Sequence, residues 1–155
     1  MPLYQCIAPA GLVDDEVRQA VAREITRIHV EATGAPAGFV HVLFLDAPVG
    51  RHFTAGEVDA RTTLIEGVLR ASRPLAARQE MMRSLAAAWT RLTGQPTAEI
   101  IVSLPERDAG EIMEAGVIFP PVGEEAAWLR ENGARIAESA PHLAADLEEY
   151  RGRVG

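Results

Sequence analysis

Residues 33–46 read TGAPAGFVHVLFLD, and residues 93–106 read TGQPTAEIIVSLPE. Threonine, glycine and proline recur at the same spacing, and an apolar run follows each set. The offset is 60 residues, and it extends outward in both directions. Arg18, Gln19 and Arg23 meet Arg78, Gln79 and Arg83, while Ile25 meets Leu85 and Val42 meets Val102. So long a period in two copies describes an internally duplicated domain, because a solenoid needs about three repeats or more.

Each copy reads strand, helix, strand. In the first, LYQCIA is β-rich, and VDDEVRQAVAREITRIHVEATG places Val13, Val17, Val21, Ile25 and Ile28 on one helical stripe that stops at Gly34. In the second, TTLIEGVL alternates, and ASRPLAARQEMMRSLAAAWTRLTG repeats the stripe and stops at Gly94. FVHVLFLD and EIIVSLPE close the two copies as apolar strands. A strand–helix–strand unit with both strands in one sheet makes a parallel, right-handed crossover. The prediction is therefore an α/β fold: a duplicated β-α-β unit, giving a four-stranded sheet with two helices on one face.

The boundaries follow as one domain over 1–155, with repeat one at 2–46, a link at 47–61, repeat two at 62–106 and a C-terminal tail at 107–155. The link holds a short apolar element at Phe53. The tail predicts a short helix over DAGEIMEAG (108–116), a break at FPPVGEE, and a charged helix over AAWLRENGARIAESAPHLAADLEEY (126–150). With both helices on one face the other face lies bare, and such an apolar face commonly meets another subunit.

Composition removes several classes of function. A net charge of −7 supplies no basic stripe for nucleic acid, and with 48% hydrophobic residues no run reaches the ~18 apolar residues of a membrane span. The first residues carry no basic and apolar leader, so a cytoplasmic protein is expected. The single cysteine, Cys6, forms no internal disulfide and no cysteine zinc site, and reads as a buried small hydrophobe.

Four features could carry chemistry. The chain opens MPLYQCIA, with Pro2 at the head of a strand. Proline is tolerated there because it has no N–H to give a ladder; equally, removal of Met1 would turn its imide nitrogen into a secondary amine. Arg70 and Arg73 lead into the second helix with no acid until Glu80, against the usual preference for acids at a helix start, which suggests a local anion. His29 lies on the apolar stripe of the first helix, either as a core histidine or as a donor to a ligand. Glu111 and Glu114 stand one helical turn apart, and a carboxylate half-buried beside Ile112, Met113 and Phe119 could act as acid or base. His41, His52 and His142 show no metal-ligand spacing with His29, so no metal is expected. Phosphate loops, nucleotide fingerprints and nucleophile-elbow serines are absent from the sequence.

Taken together, the duplicated unit, the proline behind methionine and the arginine pair resemble the tautomerase superfamily, most closely its cis-3-chloroacrylic acid dehalogenase group. The resemblance runs from Met1 to about Trp128. It implies a homotrimer with a catalytic amino-terminal proline and no cofactor. Pro2 matches that proline, and EITRIH places His29 on the group's substrate-binding histidine. Arg70 and Arg73 match its carboxylate clamp, and Glu114, ahead of Gly116, matches its water-activating glutamate. Ser103, in IIVSLPE, stands where the group has a tyrosine. The implied activity is keto–enol tautomerisation of a small 2-oxo or unsaturated carboxylate. The alternatives are hydration or hydrolytic dehalogenation of a cis-3-haloacrylate, and carboxylate binding without catalysis.

Overall fold

The computed structural model describes residues 2–154. Met1, whose removal the sequence reading requires, lies outside them. In the first unit β1 (Leu3–Pro9) leads to α1 (Asp15–Thr33) and β2 (His41–Ala47). A small hairpin of β3 (Phe53–Thr54) and β4 (Glu57–Val58) fills the link. The second unit is β5 (Thr63–Arg70), α2 (Leu75–Thr93) and β6 (Ile100–Ser103). The short β7 (Glu106–Arg107) continues along the same edge of β5 as β6.

The strand order is β2-β1-β5-β6. β1 runs parallel to β2, with Leu3 opposite His41, and β5 runs parallel to β6, with Thr63 opposite Ile100. The units join through antiparallel β1 and β5, with Leu3 opposite Val68. That antiparallel junction is what an internal two-fold between the repeats produces.

Helix boundaries obey the repeat. Asp14 caps α1 by accepting from Val17 N–H at 2.8 Å, and Asp15 and Glu16 fill its first turn. Gly34 and Gly94 end the two helices in the left-handed region, at φ 69° and 76°, where glycine carries no Cβ penalty. Thr33 and Thr93 then make the same turn, each accepting from the N–H two residues on.

The two helices pack on one face of the sheet. Tyr4, Cys6 and Ala8 point from β1 into a core shared with Val21, Ile25 and Ile28 of α1 and with Met81, Leu85 and Trp89 of α2. Burying an aliphatic side chain of this kind contributes about 1.5–3 kcal/mol. Burial also pushes the Cys6 thiol up to about 12. On the other face Leu43, Leu45 and Ile101 remain exposed. His29 and its counterpart Trp89 have different partners. His29 meets Tyr4, whereas Trp89 donates its indole N–H to Gln95 Oε1 at 2.7 Å.

The tail departs from expectation twice. DAGEIMEAG is not a helix: after one 3-10 turn at Ala109–Glu111, β8 (Met113–Glu114) and β9 (Val117–Ile118) form a hairpin. Its turn is Ala115–Gly116, at φ 50° and 74°, the conformation that two-residue hairpins require. The charged helix is two helices, α3 (Glu125–Ser139) and α4 (Ala144–Val154), parted at Ala140–Pro141. Proline disfavours a helical residue before it, and Ala140 sits at φ −136°, ψ 71°. These helices build a second core, in which Leu129, Ile136, Leu143 and Leu147 meet Phe39 of the first unit and Val117.

Candidate active site

Pro2 is buried where β1 begins, and its carbonyl accepts from the His41 N–H at 3.0 Å. His41 in turn places its Nε2 2.5 Å from Glu114 Oε1. The hairpin that replaced the expected helix therefore carries Glu114 to the strand end beside Pro2. Glu114 keeps only 16% of its side chain exposed, while His41 keeps about half.

His29 is a core histidine that also reaches the site. It is 3% exposed, and its Nδ1 lies 2.9 Å from the Tyr4 hydroxyl, itself fully buried. Burial, followed by the charge of Arg73, pushes the imidazole down to about 3, so the ring is neutral at pH 7. Burial likewise holds the Tyr4 hydroxyl protonated far above pH 7. Between two neutral groups the fitting assignment has Tyr4 O–H donating to Nδ1, which leaves the Nε2 N–H as a donor. Gly67, opposite Tyr4 on β5, makes this possible. A Cβ there would overlap the Tyr4 ring and come within 2.8 Å of Leu104.

The two arginines sit on either side of a sharp turn between β5 and α2. Ser72 takes φ 84°, a strained value for a residue with a Cβ. The Arg73 N–H donates to Glu106 Oε1 at 2.9 Å, and Glu106 also faces Arg78. The side chains then differ. Arg70 donates to the Pro120 carbonyl at 3.0 Å and to Glu125 Oε1 at 2.5 Å. The Arg73 guanidinium has no ion pair among the described residues, and its Nε is buried without a hydrogen-bond partner. Burial, then the neighbouring Arg70, lowers its pKa.

The tail closes the site. Phe39 meets Phe119 edge to face, with centroids 5.4 Å apart, and Phe119 stacks on Trp128 at 5.5 Å. The Trp128 indole donates to the Ile118 carbonyl at 2.7 Å, which fixes the ring.

Between the two cores lies an open-mouthed pocket. Four of the expected residues line it together: Pro2, His29, Arg70 and Arg73. Glu114 is outside the lining and connects to Pro2 through His41. Ser103 is also outside it: it ends β6 as an exposed residue paired in register with Glu66. Sequence reasoning did not single out Tyr4 as the partner of His29, Gly67 as the space for its ring, or Glu125. Among the described residues no group of three or more His, Cys, Asp or Glu could hold a metal ion. Nor is any described helix long and apolar enough to cross a membrane.

Comparison with known proteins agrees with this layout. Residues 1–133 match the Tautomerase_3 family, described as "Putative oxalocrotonate tautomerase enzyme". A "Probable tautomerase" of Streptococcus pneumoniae serotype 4 is 44% identical over 43 residues, 28% of this chain and 72% of its own length. The crystal structure of N1, a member of the cis-3-chloroacrylic acid dehalogenase family, superposes with a TM-score of 0.80 at 25% identity, covering 95% of this chain and 99% of N1. The F6 fused 4-OT, solved as an asymmetric trimer, shares the fold at a TM-score of 0.69 and 20% identity, over 75% of this chain and 94% of its own. With the family match running through both repeats and into α3, this chain belongs to the tautomerase superfamily.

Proposed function

We propose that the protein is a cofactor-independent keto–enol tautomerase acting on a small 2-oxo or unsaturated carboxylate, with Pro2 as its catalytic base once Met1 is removed. The observation that carries this reading is that Pro2, His29, Arg70 and Arg73 line one pocket. A free α-amino group titrates near 8, and burial beside cationic neighbours disfavours its charged form, which would let Pro2 act as a base near neutrality. Neutral Pro2 takes the proton of the enol 2-hydroxyl and delivers it to C3, giving the 2-oxo acid. Arg73 and Arg70 draw the carboxylate in, and the His29 Nε2 N–H donates to the 2-oxygen. Intact-mass measurement and ketonisation of phenylenolpyruvate test the reading. Active protein should lack Met1, and Pro2→Ala should abolish turnover; active protein that retains Met1 sinks proline catalysis.

A second reading, hydration or hydrolytic dehalogenation of a cis-3-haloacrylate, draws on the His41-held Glu114 as the group that would activate water. It requires Pro2 to be protonated, one proton away from the tautomerase state. The third, a carboxylate-binding module, needs the arginines alone. In each case the assembly we propose is a homotrimer in the cytoplasm. The support is the bare sheet face, with Leu43, Leu45 and Ile101 exposed, together with the trimeric state of the F6 fused 4-OT.

A further inference from the structure

Besides the Pro2 amine, which the proposed function takes as neutral, the ionisable groups lining the pocket are the side chains of His29, Arg70, Arg73, Glu125 and Tyr150. His29 is neutral, and burial raises the Tyr150 hydroxyl and keeps it protonated. Burial alone would raise the Glu125 carboxyl, but its own N–H, Arg70 and the Gly123 N–H outweigh that and hold it ionised. Two guanidinium groups against one carboxylate leave a single positive charge.

That charge is unevenly available. Glu125 has both oxygens engaged, Oε1 with Arg70 at 2.5 Å and Oε2 with the Gly123 N–H at 2.7 Å, and its side chain is 16% exposed. Arg70 is held on both arms, by Glu125 and by the Pro120 carbonyl. Arg73 is the guanidinium with a buried, unpartnered N–H and no ion pair among the described residues. Elsewhere the walls carry no further cation: the Thr33 hydroxyl is committed to the His29 carbonyl at 2.8 Å, and Pro36, Phe39, Phe119, Pro120 and Trp128 present apolar surface.

We propose that Glu125 is a specificity-determining residue: as a carboxylate built into the pocket it occupies Arg70, so that the site takes monocarboxylates with an apolar or aromatic body and rejects dicarboxylates. The proposal rests on the reading of this pocket as a carboxylate site. A substrate carboxylate pairs with Arg73, and its apolar body lies along Phe119 and Trp128. A second carboxylate would have to leave water for an apolar wall or compete with Glu125 for Arg70, and like charges at such range repel. Glu125 belongs to α3, outside both repeats, so this selectivity comes from the tail.

The test is calorimetric binding of a matched, unreactive pair, trans-cinnamate and 4-carboxy-trans-cinnamate. The parent protein should bind cinnamate at least tenfold more tightly. Glu125→Gln, which keeps an oxygen toward Arg70 but removes the charge, should shift the ratio at least tenfold toward the dicarboxylate; Glu125→Asp, which retains the charge, should stay on the parental side. Equal binding of the two ligands by the parent within twofold, or a ratio unmoved in Glu125→Gln, overturns the proposal. Should Glu125→Gln fail to fold, the parental ratio decides alone. Because neither ligand reacts, discrimination that persists while ketonisation is absent counts against the tautomerase reading only. Failure of both ligands to bind removes the carboxylate site and the proposal with it.

Discussion

The Tyr4 hydroxyl lies 2.9 Å from His29 Nδ1, with the ring centroids 5.8 Å apart and nearly perpendicular, and this contact ties the first strand to the helix that returns over it. It fixes which imidazole nitrogen carries the proton. Tyr4→Phe removes the donor and leaves Nδ1 free to take the proton in place of Nε2. A buried hydrogen bond of this kind is worth about 1 kcal/mol or somewhat more. Ketonisation by Tyr4→Phe should therefore fall roughly tenfold in kcat/KM, measured by the decay of enol absorbance. An unchanged value would mean that Nε2 has no part in the reaction.

Stability should depend on pH through the same histidine. The folded pKa of His29, about 3, lies below its unfolded value near 6.5, so between these limits the unfolded chain binds more protons than the folded one. The contribution is fully present above pH 6.5 and is lost progressively as pH falls toward 3, by up to a few kcal/mol. Urea titrations at pH 7, 5.5 and 4.5 should show a declining midpoint, and the decline should be shallower in His29→Gln. Parallel declines in the two proteins would place the acid sensitivity elsewhere.

Arg70 and Arg73 should respond differently to truncation. Arg73→Ala removes a guanidinium with no internal ion pair, so carboxylate binding should weaken by about 1.5–3 kcal/mol with little change in melting temperature. Arg70→Ala also strands the Glu125 carboxylate, 16% exposed, and should cost about 1–3 kcal/mol of stability as well as affinity. Calorimetric binding and thermal melts on the two variants separate these outcomes; matching melts would show that the Arg70–Glu125 pair contributes nothing to the fold.

Glu114→Gln should leave ketonisation within tenfold of the parent, because enol–keto conversion needs a base at Pro2 and an anion clamp and no activated water. Hydrolysis of cis-3-chloroacrylate should be weak or absent in the parent, since general-base assistance to water is worth about 10²–10⁴ in rate and Ser103 stands outside the pocket. Rapid halide release by the parent, lost in Glu114→Gln, would reverse this order.

Gly67→Ala should destabilise the protein by about 1–3 kcal/mol, the cost of overpacking, because the new methyl group would lie in the space of the Tyr4 ring. Chemical denaturation measures it directly. A neutral effect would mean that the ring can shift, and His29 should then lose activity as in Tyr4→Phe.

The duplicated half of the molecule was legible because its signals are local. Gly34 and Gly94 end helices, and the stripes from Val17 to Ile28 and from Met81 to Trp89 have helical period. The hairpin at Met113–Ile118 was not legible, because its turn places Ala115 at positive φ, a conformation for which alanine gives no signal, and Glu111 and Glu114 happen to fall at helical spacing. The bend at Pro141 was available in the sequence, since the residue before a proline avoids helix. Pro2, His29, Arg70 and Arg73 were recognisable through resemblance to a family. Glu125 was not, because its meaning comes from Arg70, 55 residues away, and from a packing of α3 that no local pattern records.

The contrast between His29 and Trp89 bears on how such a chain can change over time. Two identical half-units on separate chains accept every mutation in both places at once, whereas two halves of one chain drift independently. In this protein they have done so: where the first repeat offers Pro2 and His29 the second has Thr62 and Trp89, and where the second offers Arg70 and Arg73 the first has Ala10 and Val13. The groove that mirrors the pocket, along Thr93, Gln95, Pro96 and Glu99, thus lacks the proline, the histidine and the arginine pair at the matching positions. Trp89 and Gln95 close on each other there as pure structure. Fusion turns a redundant copy into raw material: one half carries the proline and the histidine, the other the arginine pair, and each can be tuned without damaging its twin.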